Sequence, residues 1–191
     1  MTDTGRETDV LDAVVTLVDS LLEDFDVVEL LTDLTEHCTH LLDVTAAGLL
    51  LAGPHKQLHL MAATSPQSRD LELFQLQSEE GPCLDCYATG RPVTVADLSA
   101  EDHRWPRFVP AATAAGFASV HAVPMRAADL TLGALGLFGT HPGHLAEADL
   151  RVASTFANVA SVVTTGSWQS SGWYRDPHDQ PDRRCWEGRE W

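Results

Sequence analysis

Apolar positions recur at helical spacing from the start of the chain. Val10, Leu11, Val14, Leu17, Val18, Leu21 and Leu22 follow the i, i+3, i+4, i+7 rule, with Asp12, Asp19 and Glu23 off the stripe. Asp26 and Glu29 form an aspartate version of a capping box for a second helix, whose apolar face is Val27, Leu30, Leu31, Leu34, Cys38, Leu41 and Leu42. The short apolar run 44–52, closed by Gly53-Pro54, predicts a buried strand, and 58–64 predicts a second strand antiparallel to it. Residues 68–77 carry no clear period and read as a short helix or irregular chain. Gly81-Pro82 opens a helix that Gly90 closes, since proline suits the first helical turn and glycine the residue past the last.

Further along, 92–96 predicts a strand and 105–115 a helix ended by Gly116. Two strands, 118–125 and 131–140, join through a short turn at 127–129, and 147–165 is helical with Leu150, Ala153, Phe156, Ala157, Ala160 and Val163 on one face. Consecutive strands joined by short turns favour an antiparallel sheet, so the expected class is α+β rather than doubly wound α/β. The chain divides into a polar, flexible N-terminus at 1–8, one domain at 9–165, and an appendage at 166–191.

Composition sharpens that division. The 191 residues carry 12 Lys+Arg against 28 Asp+Glu, a net charge of -16. Residues 1–165 hold 8 basic and 23 acidic side chains, so the acidity belongs to the domain and speaks against a grip on phosphate backbones. The segment 166–191 lacks Ala, Val, Leu, Ile, Met and Phe, yet contains Trp168, Trp173, Trp186 and Trp191. It has nothing with which to build a core and reads as a disordered or loosely docked tail, a non-native or frame-shifted end. Its interleaved acids weigh against a basic-aromatic nucleic-acid arm. No run reaches the roughly 18 apolar residues of a membrane span, and Met1 to Asp9 is unlike a secretory signal. The expected location is cytoplasmic.

Several motifs resemble the GAF domain family: Glu80-Gly81-Pro82-Cys83-Leu84-Asp85, Gly90-Arg91-Pro92-Val93, Arg104-Trp105-Pro106-Arg107-Phe108, and Ser119 to Met125 followed by Leu132-Gly133-Ala134-Leu135-Gly136-Leu137. Together they look like the sensor half of actinobacterial GAF–ANTAR antitermination regulators. The resemblance implies a central antiparallel sheet with the terminal helices on one face and a loop- and helix-covered ligand pocket on the other. It implies a non-enzymatic sensor of a small molecule or redox state, feeding transcription regulation. No three-helix ANTAR sequence follows Thr165, so direct nucleic-acid binding is not carried over. The wide apolar stripes of the terminal helices point to pairing across a homodimer.

Candidate sites follow from alternation and spacing. Ser119, His121, Val123 and Met125 share one strand face, taken to line the pocket, with His121 as a polar anchor among apolar walls. The polar loop 97–104 reads as a lid, bringing His103 and Trp105 to the ligand, although Trp105 and Phe108 also suit a role as anchors in the core. Cys83 and Cys86, one turn apart at a helix start, are the candidate dithiol, because unpaired N–H groups there lower a thiol's pKa. Their alternative use is a thiol oxidoreductase, and their bland one is packing. His37, Cys38, His40, His141 and His144 match no zinc spacing, so no metal is assigned. No feature selects a haem ligand or any other cofactor, and the cyclic-nucleotide signature is absent. The ligand stays chemically unidentified, and adjacent acids such as Glu79-Glu80 read as solvated surface.

Overall fold

A computed structural model of the chain describes residues 3–20, 26–53 and 55–171. Its elements are α1 (Asp3–Ser20), α2 (Val27–Leu41), β1 (Ala46–Ala52), β2 (Leu58–Ala63), α3 (Pro66–Ser78), α4 (Pro82–Thr89), β3 (Val93–Val95), α5 (Phe108–Ala114), β4 (Ser119–Ala127), β5 (Leu130–Gly139) and α6 (Glu147–Ser171), with one 3-10 turn at Leu98–Ala100. The five strands form one sheet in the order β2-β1-β5-β4-β3, with every neighbouring pair antiparallel. This is the α+β class that the strand spacing predicts.

Local chemistry accounts for the helix starts. Asp26 caps α2, its carboxylate accepting from the N–H of Val28 at 2.7 Å and of Glu29 at 3.4 Å. Ser65 and Ser68 satisfy each other's backbone N–H groups at the start of α3, where Pro66 occupies the first turn. Helix α3 is therefore a full 13 residues, where the sequence leaves a short helix or irregular chain. The reason lies in its inward face. Ser68, Leu71, Glu72, Gln75 and Ser78 have helical spacing, but four of the five are polar, so the apolar stripe that advertises a helix is missing. Helix α5 starts at Phe108, leaving Trp105 in the preceding loop, and α6 continues to Ser171. The remainder of the tryptophan-rich tail, 172–191, lies outside the described residues, and α1 begins within the stretch set apart as 1–8.

The sheet separates two cores. On one side Ala13 and Leu17 of α1, Leu30, Leu31 and Leu34 of α2, and Ala153, Phe156 and Ala160 of α6 pack on Ala47, Leu49, Leu135 and Leu137. On the other side Cys83 and Cys86 of α4, Leu71 of α3 and Phe108 and Ala112 of α5, with the loop residue Trp105, pack on Leu50, Val120, Ala134 and Phe138. The terminal helices thus share one face, and α3–α5 with their loops roof the other. Among the described residues no helix is long and apolar enough to cross a membrane.

Candidate functional site

The strand alternation is right in period but inverted in direction. Val123 and Met125 point into the core beneath α1, α2 and α6, while Val120 and Ala122 face α3–α5. His121 shares the terminal-helix face with Val123 by the two-residue period. It is 3% exposed, lies beside the backbone of Gly143, and leaves Nδ1 without a partner. Burial, with His144 nearby, holds its imidazole below the usual histidine range. His103 is fully exposed on the outer surface, beside Asp102 at 3.8 Å. Trp105 is 2% exposed, edge-on to Phe108 at 6.1 Å, and lies within the α3–α5 core. The five residues expected to meet a ligand are therefore split among three places. The alternation fixes which residues share a face, but either face of β4 is apolar enough to lie under the helices.

What the fold does assemble centres on a residue the sequence reading passes over. Glu72, in the middle of α3, is fully buried. Its Oε2 accepts from Gln75 Nε2 at 2.8 Å, Gln75 Oε1 accepts from the Cys83 N–H at 2.9 Å, and the Cys83 thiol lies 3.4 Å from Glu72 Oε1. The three residues close a hydrogen-bonded ring joining α3 to the first turn of α4. The ring rests on the sheet at its thinnest point, where Gly48 of β1 and Gly136 of β5 are paired in register. A Cβ on Gly48 would stand 2.8 Å from Glu72 Cγ, and one on Gly136 would stand 2.4 Å from Glu72 Oε1 and 2.9 Å from Cys83 Sγ. Only hydrogen as the side chain leaves room for the carboxyl and the thiol.

Electrostatics set the protonation of the ring. Burial raises the Glu72 carboxyl to about 8, outweighing the opposing hydrogen bond with Cys83. At neutral pH the acid form is favoured, and its O–H has the Cys83 sulfur within reach. Burial, then the adjacent Glu72 charge, pushes the Cys83 thiol well above its ordinary value. Burial and Asp85 push Cys86 up to about 12. The helix start therefore does not activate these thiols, because desolvation of the thiolate exceeds what the first-turn N–H groups return. Cys38, on α2 in the other core, is also pushed up by burial.

Two arginines tie the loop before α5 onto this cluster. Arg104 reaches Oδ2 of Asp85 on α4 at 2.8 and 3.1 Å while its guanidinium stacks 4.3 Å over Trp105. Arg107 pairs with Glu80 at 3.2 Å and donates to the Ser78 carbonyl. The Glu80 carboxylate also accepts the N–H groups of Arg107 and of Phe108, the latter at 2.7 Å, and so caps α5 from a distant segment. Burial would raise Glu80, but these hydrogen bonds and the Arg107 charge hold it below the usual carboxylate range. Between the two ties runs Gly81, whose φ of 145° and close contact with Gln75 exclude a side chain. The motif Glu80-Gly81-Pro82-Cys83 is thus a junction of latch, close approach, helix start and ring member. Neither Glu72 nor Gln75 belongs to a motif legible in the sequence. The one available signal is their i, i+3 spacing with Ser68 on a single face of α3.

The histidine pairs stay apart. His37 stacks on Phe156 at 6.4 Å, and His141 meets Thr140 at 3.1 Å. Among the described residues no group of three or more His, Cys, Asp or Glu side chains stands close enough to hold a metal ion.

An antiparallel five-stranded sheet, with terminal helices on one face and short helices over a buried polar cluster on the other, defines the class as an α+β domain of GAF-like architecture. The family model described as "GAF domain" matches residues 26–164, from the start of α2 through most of α6. The chain belongs to the GAF domain family, a family of sensory and regulatory domains of signalling proteins. Similar solved structures include the GAF domain of an Acinetobacter phosphoenolpyruvate-protein phosphotransferase, 17% identical, covering 88% of this chain and 97% of that one with a TM-score of 0.66. Free methionine-R-sulfoxide reductase from Neisseria meningitidis, in complex with its substrate, is 18% identical and covers 89% of this chain and 95% of that one with a TM-score of 0.67. Residues 122 to 287 of a methyl-accepting chemotaxis protein are 17% identical, with coverages of 81% and 98% and a TM-score of 0.60. At these identities the likeness is one of fold. No curated protein matches the sequence.

Proposed function

We propose that the chain is the non-enzymatic sensing module of a cytoplasmic bacterial regulator, of the kind found in actinobacterial GAF–ANTAR transcription regulators. A small molecule or a redox change acts on the α3–α5 side of the sheet. The response passes through the sheet to α1, α2 and α6, through which two copies pair. The observation that carries this reading is the Glu72–Gln75–Cys83 ring seated on the Gly48/Gly136 pair. It is an ionisable, hydrogen-bonded cluster in contact with the same two strands whose opposite faces support the terminal helices. A buried carboxyl with only neutral partners in the ring costs stability, and such perturbed groups cluster at functional sites. Leu11 and Val15 of α1 and Val162 of α6 are 64%, 55% and 65% exposed, which supports pairing through those helices.

The acidic domain supports a module that does not itself bind nucleic acid. The oxidoreductase reading of Cys83 and Cys86 loses ground, since a turnover enzyme needs an exposed, low-pKa thiol and both are fully buried and pushed up. Native mass spectrometry of the purified chain tests the proposal. A dimer carrying a co-purified small molecule, or a dimer whose stability changes on oxidation, supports it. A bare 20.7 kDa monomer that responds to neither sinks it.

A further inference from the structure

We propose that Cys83 and Cys86 form a two-electron oxidation site, closed to a disulfide by a small hydroperoxide, with Glu72 taking the Cys83 thiol proton. This rests on the sensing reading and names one input for it. The pair sits at positions i and i+3 of α4, where helix geometry sets the Cα atoms about 5 Å apart, inside the span a disulfide bridges. Both cysteines are free, both lie on the inward face of α4, and among the described cysteines Cys83 alone has a carboxyl oxygen within hydrogen-bond reach of its sulfur, at 3.4 Å. That contact distinguishes it from Cys38, a buried cysteine in the opposite core whose raised value has burial as its only cause.

The chemistry balances with one hydroperoxide per disulfide. Glu72 Oε1 accepts the proton of the Cys83 thiol, and the thiolate sulfur attacks the near oxygen of hydrogen peroxide. The O–O bond breaks, the departing hydroxide takes the proton back from Glu72 and leaves as water, and Cys83 becomes a sulfenic acid. The Cys86 sulfur then attacks that of Cys83. The S–O bond breaks, a second water leaves, and the thiol proton of Cys86 goes with it. Peroxide is reduced to two waters, and two thiols are oxidised to one disulfide.

The consequence is structural. Once Cys83 Sγ turns to Cys86, the ring opens and Glu72 loses its sulfur partner on the glycine pair, at the sheet's contact between the two cores. Full burial makes the site slow and selective for a small uncharged oxidant.

The ionisable groups acting on Glu72 and the two thiols are each other and Asp85, so the pH response of oxidation reports this cluster. The test treats the reduced full-length chain with hydrogen peroxide across pH 6 to 9 and maps alkylated peptides by mass. The expected result is loss of two hydrogens in the one peptide holding Cys83 and Cys86, with Cys38 still a thiol. The rate should rise toward pH 8, where the carboxylate forms. Glu72→Gln should slow the step by roughly 100-fold and abolish that rise, while Glu72→Asp, judged folded by circular dichroism, should retain it. Cys86→Ser should stop at a sulfenic acid on Cys83, trapped by dimedone. The proposal is overturned if the peptide keeps its hydrogens under excess peroxide, if Cys83 pairs instead with Cys38 or Cys185, or if Glu72→Gln oxidises with the wild-type rate and pH profile. A reduced pair in a chain that still carries a bound small molecule would remove the oxidation site and leave the sensing reading standing.

Discussion

The Glu72 carboxyl fills the space in front of Gly136: a methyl group there would come within 2.4 Å of its Oε1 and 2.9 Å of the Cys83 sulfur. Gly136→Ala must therefore displace two buried groups that also bond each other. Overpacking of this kind typically costs about 1–3 kcal/mol. Gly143→Ala is the control, because nothing lies within 4 Å of its added methyl. Urea denaturation should show Gly136→Ala clearly less stable than Gly143→Ala, and equal midpoints would contradict the packing described.

A second expectation concerns pH. Glu72 binds its proton more tightly in the fold, where the value is about 8, than in the unfolded chain, near 4.5. Unfolding then releases a proton between those values, so the stabilising share of this group is complete below about pH 4.5 and is lost as pH rises toward 8. The upper limit of the loss is on the order of 5 kcal/mol. Above pH 9 the raised thiols of Cys83 and Cys86 extend the same slope. Glu72→Gln keeps hydrogen bonding without the charge. The difference in stability between it and the wild type should move in the variant's favour from pH 5 to 8. A pH-independent difference would show that Glu72 is ionised throughout, or never.

Much of this architecture is legible in the sequence because the residues involved obey one rule each. Asp26 caps, Gly81-Pro82 opens, Gly90 closes, and short turns between consecutive strands mark an antiparallel sheet. Helix α3 resisted reading because its inward face is Ser68, Glu72, Gln75 and Ser78 rather than leucines, and periodicity methods weigh apolarity. The same substitution of polar for apolar is what makes the face interesting. His121, Val123 and Met125 show the other limit: period-2 alternation says who shares a face, whereas the identity of that face depends on which helices cover it. Cys83 stands out in the sequence as a thiol at a helix start. Its partner Glu72, eleven residues earlier on another helix, has no sequence signature, since a buried glutamate and an exposed one are written identically.

The two loop ties should separate cleanly by mutation. Asp85 and Arg104 are both more than a third exposed, so Arg104→Ala should cost no more than about 1 kcal/mol. Glu80 is the more consequential partner because it caps two N–H groups of α5 as well as pairing with Arg107. Its value is held below the ordinary one, so its contribution is present above the unfolded pKa and is lost as pH falls through the folded one. That window lies on the acid side of the Glu72 window. Glu80→Ala should lower the thermal midpoint at pH 7 more than Arg104→Ala does, and the gap should close as the pH is taken down through the acid range. A gap that persists in acid would mean that the lost capping charge is not its source.

The proposed pairing of two copies makes the last prediction. Leu11 and Val15 are four residues apart on one side of α1, and Val162 is exposed on α6, which shares a core with α1. Three large apolar side chains left in water on adjoining helices contribute little to the monomer, so charged replacements there should leave its stability within about 0.5 kcal/mol. In a pairing that buries them, the same replacements place carboxylates in an apolar interface with no partner. Leu11→Glu combined with Val15→Glu should therefore shift light-scattering mass from twice the chain toward 20.7 kDa, with the circular dichroism spectrum unchanged. A charged control at an exposed site away from this face, Arg91→Glu, should leave the dimer intact. If both variants keep the wild-type mass, the pairing face lies elsewhere, and the exposed residues of α1 and α6 need another occupant.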